Sequence, residues 1–83
     1  MTTRDTIQWF AKEMESTFRR NDHKGGWLEC PYNYLLARLD DEMIELERAL
    51  ENEAPKPEII AEAVDVANFA MMIADRARAE HEG

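Results

Sequence analysis

The sequence contains one cysteine and few basic residues. The single cysteine, Cys30, excludes an intramolecular disulfide framework and a cysteine-based zinc site, and it is typical of a protein from a reducing compartment. Ten Lys and Arg residues stand against eighteen Asp and Glu residues among 83, which gives a formal net charge of -8. This charge disfavours binding of a nucleic-acid polymer or an anionic membrane through a basic patch.

Long apolar runs and targeting signals are also missing. No segment reaches the roughly 18 consecutive apolar residues of a transmembrane helix. The first residues, MTTRDTIQWF, lack the basic and apolar parts of a signal peptide, so we expect no membrane span and a cytoplasmic location. The sequence has no P-loop, no Gly-rich phosphate cradle and no Ser-His-Asp arrangement.

No stretch alternates apolar with polar residues as a half-buried strand would, whereas apolar residues recur at helical spacing. We predict a single all-α domain over residues 1–83. Thr2 or Thr3 is a candidate N-cap for the first helix, Asn33 for the second, and Pro57 is suited to the first position of the third. The predicted helices run approximately over Asp5–Arg20, Asn33–Asn52 and Pro57–Glu80.

The third helix carries the most informative pattern. Between Ile59 and Ala74 it reads IIAEAVDVANFAMMIA, in which the polar residues are Glu62, Asp65 and Asn68. Burying an unpaired carboxylate costs far more than one helix contributes. A cation or a partner group is therefore expected beside these side chains.

The apolar surface of this helix predicts an oligomer. Its main face, widened on both flanks, is broader than two other helices of one short chain can cover. We expect a homodimer or homotetramer in which helices two and three of each chain form a four-helix core. The residues of the predicted main face are Ile59, Ala63, Val66, Ala70, Ile73 and Ala77.

A second pair of carboxylates lies on helix two. Glu42 and Glu45 have the same spacing as Glu62 and Asp65, and Glu42 falls at the edge of an apolar stripe on helix two. We call this the leucine stripe; its residues are Leu35, Leu36, Leu39, Met43, Leu46 and Leu50. Four facing carboxylates would repel one another unless a hard divalent cation, Mg²⁺ or Mn²⁺, compensated them. The alternative is that an acidic chain contains such pairs by chance, and for Glu42 and Glu45 the two interpretations are evenly balanced.

The two pairs, Glu42-x-x-Glu45 and Glu62-x-x-Asp65, resemble the ExxE and ExxD signature of the MazG-like all-α nucleoside triphosphate pyrophosphohydrolases. The resemblance covers roughly residues 27–75 and implies an oligomeric helical bundle that uses Mg²⁺ to split a nucleoside triphosphate into monophosphate and pyrophosphate. It makes all four carboxylates metal ligands. Glu45, which is furthest from the leucine stripe, is the candidate catalytic group that orients or deprotonates the attacking water.

Other residues are candidates for substrate binding. Asn68 can hydrogen-bond a base or a sugar, while Trp27, from the long loop between the first two helices, can either stack on a base or fill the core. Lys12 and Lys24 are candidate phosphate ligands, as are Arg19 and Arg20, although a solvated surface position is the favoured interpretation for each.

Two further classes of protein have to be weighed. In a non-enzymatic acidic interaction module, the carboxylates would pair with Arg38 or Lys12 of a neighbour, and no metal would be required. A ferritin-like di-iron bundle would use Glu-x-x-His pairs, and neither histidine of this chain occurs in one. Dependence on a divalent metal distinguishes the enzyme from the interaction module.

Overall fold

The computed structural model describes residues 2–21 and 26–82, and within them the regular structure is entirely helical. This confirms the all-α prediction. The first helix has the predicted bounds, the second begins one residue earlier than predicted, and the third extends to Glu82. The three helices are α1 (Asp5–Arg20), α2 (Tyr32–Glu51) and α3 (Lys56–Glu82).

The helix starts differ from the predicted caps. Arg4 occupies the N-cap position of α1, and the side-chain amide of Gln8 donates a hydrogen bond to the Thr3 carbonyl. Pro31 occupies the N-cap position of α2 without a side-chain cap, which leaves Asn33 inside the first turn. The fixed φ of proline is compatible with this position. The Pro31 carbonyl accepts hydrogen bonds from the N–H groups of Tyr34 and Leu35, at 3.1 and 3.2 Å.

A tight turn joins α2 to α3. The N–H of Ala54 donates to the carbonyl of Ala49 at 2.9 Å, and the N–H of Glu53 donates to that of Leu50 at 3.2 Å. This bonding pattern is a Schellman motif, which requires the left-handed conformation at the residue after the C-cap. Glu53 adopts it with φ of 51°. The four-residue connection makes α2 and α3 an antiparallel pair.

The core lies between α2 and α3. Leu35 and Ala49 are buried on α2, and Val64 and Asn68 are buried on α3. Helix α1 packs against α3, and none of its residues is fully buried. The molecule is therefore a helical hairpin with a third helix lying across one side of α3.

The predicted main face of α3 is not the side of that helix that is buried in the single chain. On α3 the buried positions are Val64 and Asn68, while Ala70 and Ala77 of the predicted main face are exposed. Helix α2 contacts a line on α3 that is rotated away from the predicted main face, and coverage of that face by a second chain stays a prediction. Helix α2 instead exposes several large apolar side chains, namely Leu36, Met43, Ile44 and Leu50.

Polar contacts join the far end of α3 to the start of α2. The Arg76 guanidinium lies 4.0 Å from the centroid of the Tyr32 ring, and the Tyr32 hydroxyl donates to Glu80 at 2.9 Å. This hydrogen bond raises the pKa of Tyr32. Nearby, the indole N–H of Trp27 donates to Asp75 at 3.1 Å. These contacts hold the described part of the loop, which begins at residue 26, against α3.

In the parts of the chain that are described, no helix has the length and apolarity needed to cross a bilayer.

Candidate functional site

Three carboxylates meet where α2 faces the middle of α3. Glu42 comes from α2, and Glu62 and Asp65 come from α3; one carboxylate oxygen of each lies within 4.8 Å of the other two. We call these residues the carboxylate cluster. The spacing of three residues brings Glu62 and Asp65 to the same side of α3, and the antiparallel packing brings Glu42 opposite them.

All three carboxyl groups of the cluster are half-buried, and burial raises the pKa of each. The Asp65 carboxylate further raises the pKa of Glu42 and of Glu62. Arg20 and Arg38 act in the opposite direction on the pKa of Asp65. The cluster therefore concentrates negative charge that water and neighbouring cations compensate only in part. A hard cation with oxygen ligands is the group that this donor set suits.

Arg38 is the cation in direct contact with the cluster. It lies one helical turn before Glu42, and its Nη2 is 3.3 Å from Oε1 of Glu42, while its Nη1 is 3.1 Å from the exposed Asp41. The guanidinium carbon lies 5.2 Å from the centroid of the Phe69 ring on α3. The Glu42 side chain is only 15% exposed, so this ion pair is partly shielded from water.

A cavity of about 360 Å³ opens beside the cluster. Glu42, Asp65 and Arg38 form its charged end. Its other walls are mainly apolar and come from all three helices and from the described part of the loop. Phe18 and Trp27 form an aromatic wall with ring centroids 5.0 Å apart. The remaining apolar lining residues are Cys30, Leu35, Phe69 and Met72, with Tyr34 at the side.

Asn68 lies in this cavity one helical turn after Asp65. The residue is 4% exposed, and its Oδ1 has no hydrogen-bond partner among the described residues. Leaving a buried amide oxygen without a partner costs about 1–3 kcal/mol. Since it lines the cavity, a ligand in the cavity can satisfy it. Asn68 is an observation independent of the carboxylate cluster that also points to a ligand.

Glu45, the fourth predicted ligand, does not join the cluster. Its side chain is 53% exposed, and it pairs with Arg48 at 3.6 Å. Glu45 lines a neighbouring hollow together with Glu62 and Glu58. The structure thus brings together three of the four predicted metal ligands. Glu62 belongs to the cluster and also lines the hollow that contains Glu45. A role for Glu45 in catalysis stays a prediction.

The predicted substrate-binding residues have different positions. Trp27 and Asn68 both line the cavity, whereas Lys12 is exposed on α1 and does not line it. Lys24 lies outside the described residues. Arg19 is exposed and pairs with Glu15 at 3.6 Å. Arg20 donates to Ser16 and Thr17 while lying close enough to affect the pKa of Asp65.

Two cavity residues were not predicted as substrate contacts. Arg38 appeared in the sequence only as a partner for carboxylates of a neighbouring subunit, although its position four residues before Glu42 is a local sign of their contact. Phe18 is one of several apolar residues that recur at helical spacing along α1, a pattern typical of packing against another helix. Its contact with Trp27 depends on how the loop folds against the helices, and no periodic pattern records this.

Comparisons of the chain with models of protein families, with curated proteins and with solved structures return no match.

Proposed function

We propose that this protein is a Mg²⁺-dependent nucleoside triphosphate pyrophosphohydrolase of the MazG-like all-α type, which converts a nucleoside triphosphate to the monophosphate and pyrophosphate. The observation that carries the proposal is that Glu42 and Asp65 of the carboxylate cluster line a cavity that is also lined by the aromatic side chains of Phe18 and Trp27. Such a cavity offers a metal-binding end for phosphates and a stacking surface for a base.

The residues present fit a divalent cation. Glu42, Glu62 and Asp65 would hold it, and their oxygen ligands favour Mg²⁺ or Mn²⁺ over softer metals. A bound ion would neutralise charge on the phosphates and lower the pKa of a water molecule bound to it. The apolar walls of the cavity would border the nucleotide, and the Asn68 amide, which lines the cavity, would hydrogen-bond it. Glu45, at the edge of the site, is proposed to orient the attacking water.

The same proposal includes a homodimer with a four-helix core. On α2, Leu36, Leu39, Met43, Leu46 and Leu50 follow the alternating spacing of three and four residues that characterises a helix–helix seam. We call these five residues the α2 seam. Leu36, Met43 and Leu50 are 52%, 41% and 56% exposed, so this side of the seam is available to a second copy. The dimer would then form through α2, with α3 behind it.

Metal binding tests the proposal most directly. Calorimetric titration with Mg²⁺ or Mn²⁺ is expected to show binding in the wild-type protein and none in Glu62→Gln. Glu51→Gln, which changes an exposed carboxylate at the end of the same acidic helix α2, is the matched control and should bind as the wild type does.

Catalysis requires a second measurement. Pyrophosphate release from a panel of ordinary and damaged NTPs and dNTPs with Mg²⁺ is expected to identify at least one substrate, and Glu62→Gln should abolish its turnover. Absence of metal binding together with a flat panel would contradict the enzyme and favour the non-enzymatic interaction module.

A further inference from the structure

Arg38 combines three features that suit a phosphate ligand. Its guanidinium lines the cavity beside the carboxylate cluster, it lies over the Phe69 ring, and it donates to two carboxylates on its own helix. An arginine side chain carries five N–H donors in a planar fork, which matches the oxygens of a phosphate group. Two of these donor groups engage Asp41 and Glu42, so further donors are available for a ligand.

The excess of negative charge around the cavity favours a cationic side chain in its lining. Three ionised carboxylates exceed the charge of one divalent cation, and a polyphosphate chain brings further negative charge into the same space. Among the described residues that line the cavity, Arg38 is the one with a positive charge. Arg20 lies near Asp65 but not in the cavity lining.

The position of Arg38 is set by local structure. The spacing of four residues in α2 places its guanidinium next to Glu42, and contact with the face of Phe69 holds it against α3. Asp41, its second partner, is exposed with 64% of its side chain accessible, so that pair contributes little and is readily exchanged for a phosphate oxygen.

We propose that Arg38 is the polyphosphate-binding residue of the cavity and that, before substrate binds, the same guanidinium acts as the internal counter-cation of Glu42. The inference rests on the proposed function, because it assigns the ligand of Arg38 within that site. It has a distinctive consequence. Arg38 opposes the binding of a metal ion alone and favours the binding of a phosphate chain, so its removal changes the two affinities in opposite directions.

The test uses the full chain and measures two equilibria by calorimetry. The first is the binding of Mn²⁺ alone, and the second is the binding of inorganic triphosphate in the presence of excess Mg²⁺. Arg38→Gln is expected to bind Mn²⁺ about threefold more tightly, because a positive charge beside the site is lost. It is expected to bind triphosphate about tenfold more weakly or worse, since charge-assisted hydrogen bonds are lost.

Two other variants separate the roles of charge and shape. Arg38→Lys retains the positive charge, so its Mn²⁺ affinity should stay at the wild-type value while triphosphate binding weakens through loss of the fork. Arg78→Gln removes the same charge from an exposed arginine that pairs with Asp75 and does not line the cavity. It should leave both affinities unchanged.

The outcomes distinguish the inference from the function on which it rests. If the wild type binds Mn²⁺ and triphosphate and Arg38→Gln binds triphosphate equally well, the role of Arg38 is overturned and the proposed function stands. Weakening of both affinities in Arg38→Gln would also overturn the inference, because a residue that only maintains the structure of the site would affect both ligands in the same direction. If the wild type does not bind Mn²⁺, the proposed function fails and the inference fails with it.

Discussion

The carboxylate of Glu42 on α2 has an oxygen within 4.8 Å of an oxygen of Asp65 on α3. The two groups belong to different helices; burial raises the pKa of Glu42, and repulsion from the Asp65 carboxylate raises it further. The protein keeps this unfavourable contact in the lining of a cavity rather than separating the charges. The arrangement is understandable if the site binds a cation, because the ion then relieves the repulsion between the carboxylates and this relief adds to its binding free energy.

The first prediction concerns thermal stability. At a Mg²⁺ concentration about ten times its Kd, binding to the folded state should raise the free energy of unfolding by about 1.4 kcal/mol. Differential scanning calorimetry with and without the ion measures the accompanying rise in Tm. Asp65→Asn should abolish the rise, whereas Glu51→Gln should retain it. An equal rise in Asp65→Asn would place the ion elsewhere.

The second prediction concerns the pH dependence of the metal-free protein. The pKa values of Glu42, Glu62 and Asp65 are raised above their ordinary values of 4.5, 4.5 and 3.8. A carboxyl group with a raised pKa contributes stability that is present below its ordinary pKa and is lost as the pH rises through the folded-state value. The cluster should therefore destabilise the metal-free protein as the pH rises from acid to neutral.

A single substitution isolates this effect. Glu62→Gln removes one of the repelling charges, so at pH 7 it should increase the free energy of unfolding by about 0.5 kcal/mol, which is the scale of like-charge pairs on a helix. The gain should shrink toward acid pH, where wild-type carboxylates are protonated. Urea unfolding at several pH values measures it, and a gain that grows as the pH falls would contradict the predicted sign.

The third prediction concerns the dimer. Met43 lies in the α2 seam, whereas its neighbour Ile44 is off the seam and equally exposed, at 45% against 41%. Met43→Glu should convert the dimer to a monomer in sedimentation equilibrium, and Ile44→Glu should not. Because the acidic residues Asp40 and Glu47 border the seam, raising the salt concentration should strengthen the wild-type dimer. Equal effects of the two variants would exclude this interface.

The fourth prediction uses the two tryptophans of the chain. Trp27 lines the cavity, and Trp9 is 45% exposed and does not line it. A nucleotide base in the cavity should therefore quench the fluorescence of Trp27. Titration with the Mg²⁺ complex of a nucleotide should quench the Trp9→Phe variant, whose remaining tryptophan is Trp27, and should leave Trp27→Phe unchanged. The reverse result would place the base away from the cavity.

The fifth prediction concerns the turn between α2 and α3. Glu53 adopts a φ of 51°, a conformation that costs a residue with a side chain about 1–2 kcal/mol. Glycine adopts it freely but loses more conformational freedom on folding. Glu53→Gly should therefore raise the free energy of unfolding by about 0.5–1 kcal/mol. Chemical denaturation measures the change, and Asn52→Gly, at the preceding C-cap position, is the control that should not stabilise the protein.

The success of the sequence predictions depended on how local each feature was. The bounds of α1 and the semi-buried position of Glu42 follow from helical periodicity, and both are confirmed. The line of α3 that is buried against α2 was not predicted, because many small apolar residues surround that helix. Hydrophobicity alone does not rank its faces, so the register with α2 decides that Val64 and Asn68 are innermost.

The candidate site shows the same division. The spacing of Glu62 and Asp65 identified them as members of a cluster, because residues three apart share a side of a helix wherever that helix packs. Glu45 has the same spacing from Glu42, yet its carboxylate is half exposed and pairs with Arg48. The rotation of α2 against α3 brings Glu42 toward the cavity and leaves Glu45 at the edge.

The sequence by itself determined the helices, the breaks between them and the two pairs of carboxylates, since helix formation, helix ends and side-chain spacing depend on nearby residues. The tertiary structure alone decided which three carboxylates meet, that Arg38 accompanies them, and that Phe18 and Trp27 line the same cavity. These contacts join segments far apart in the chain, and their geometry is set by the packing of whole helices.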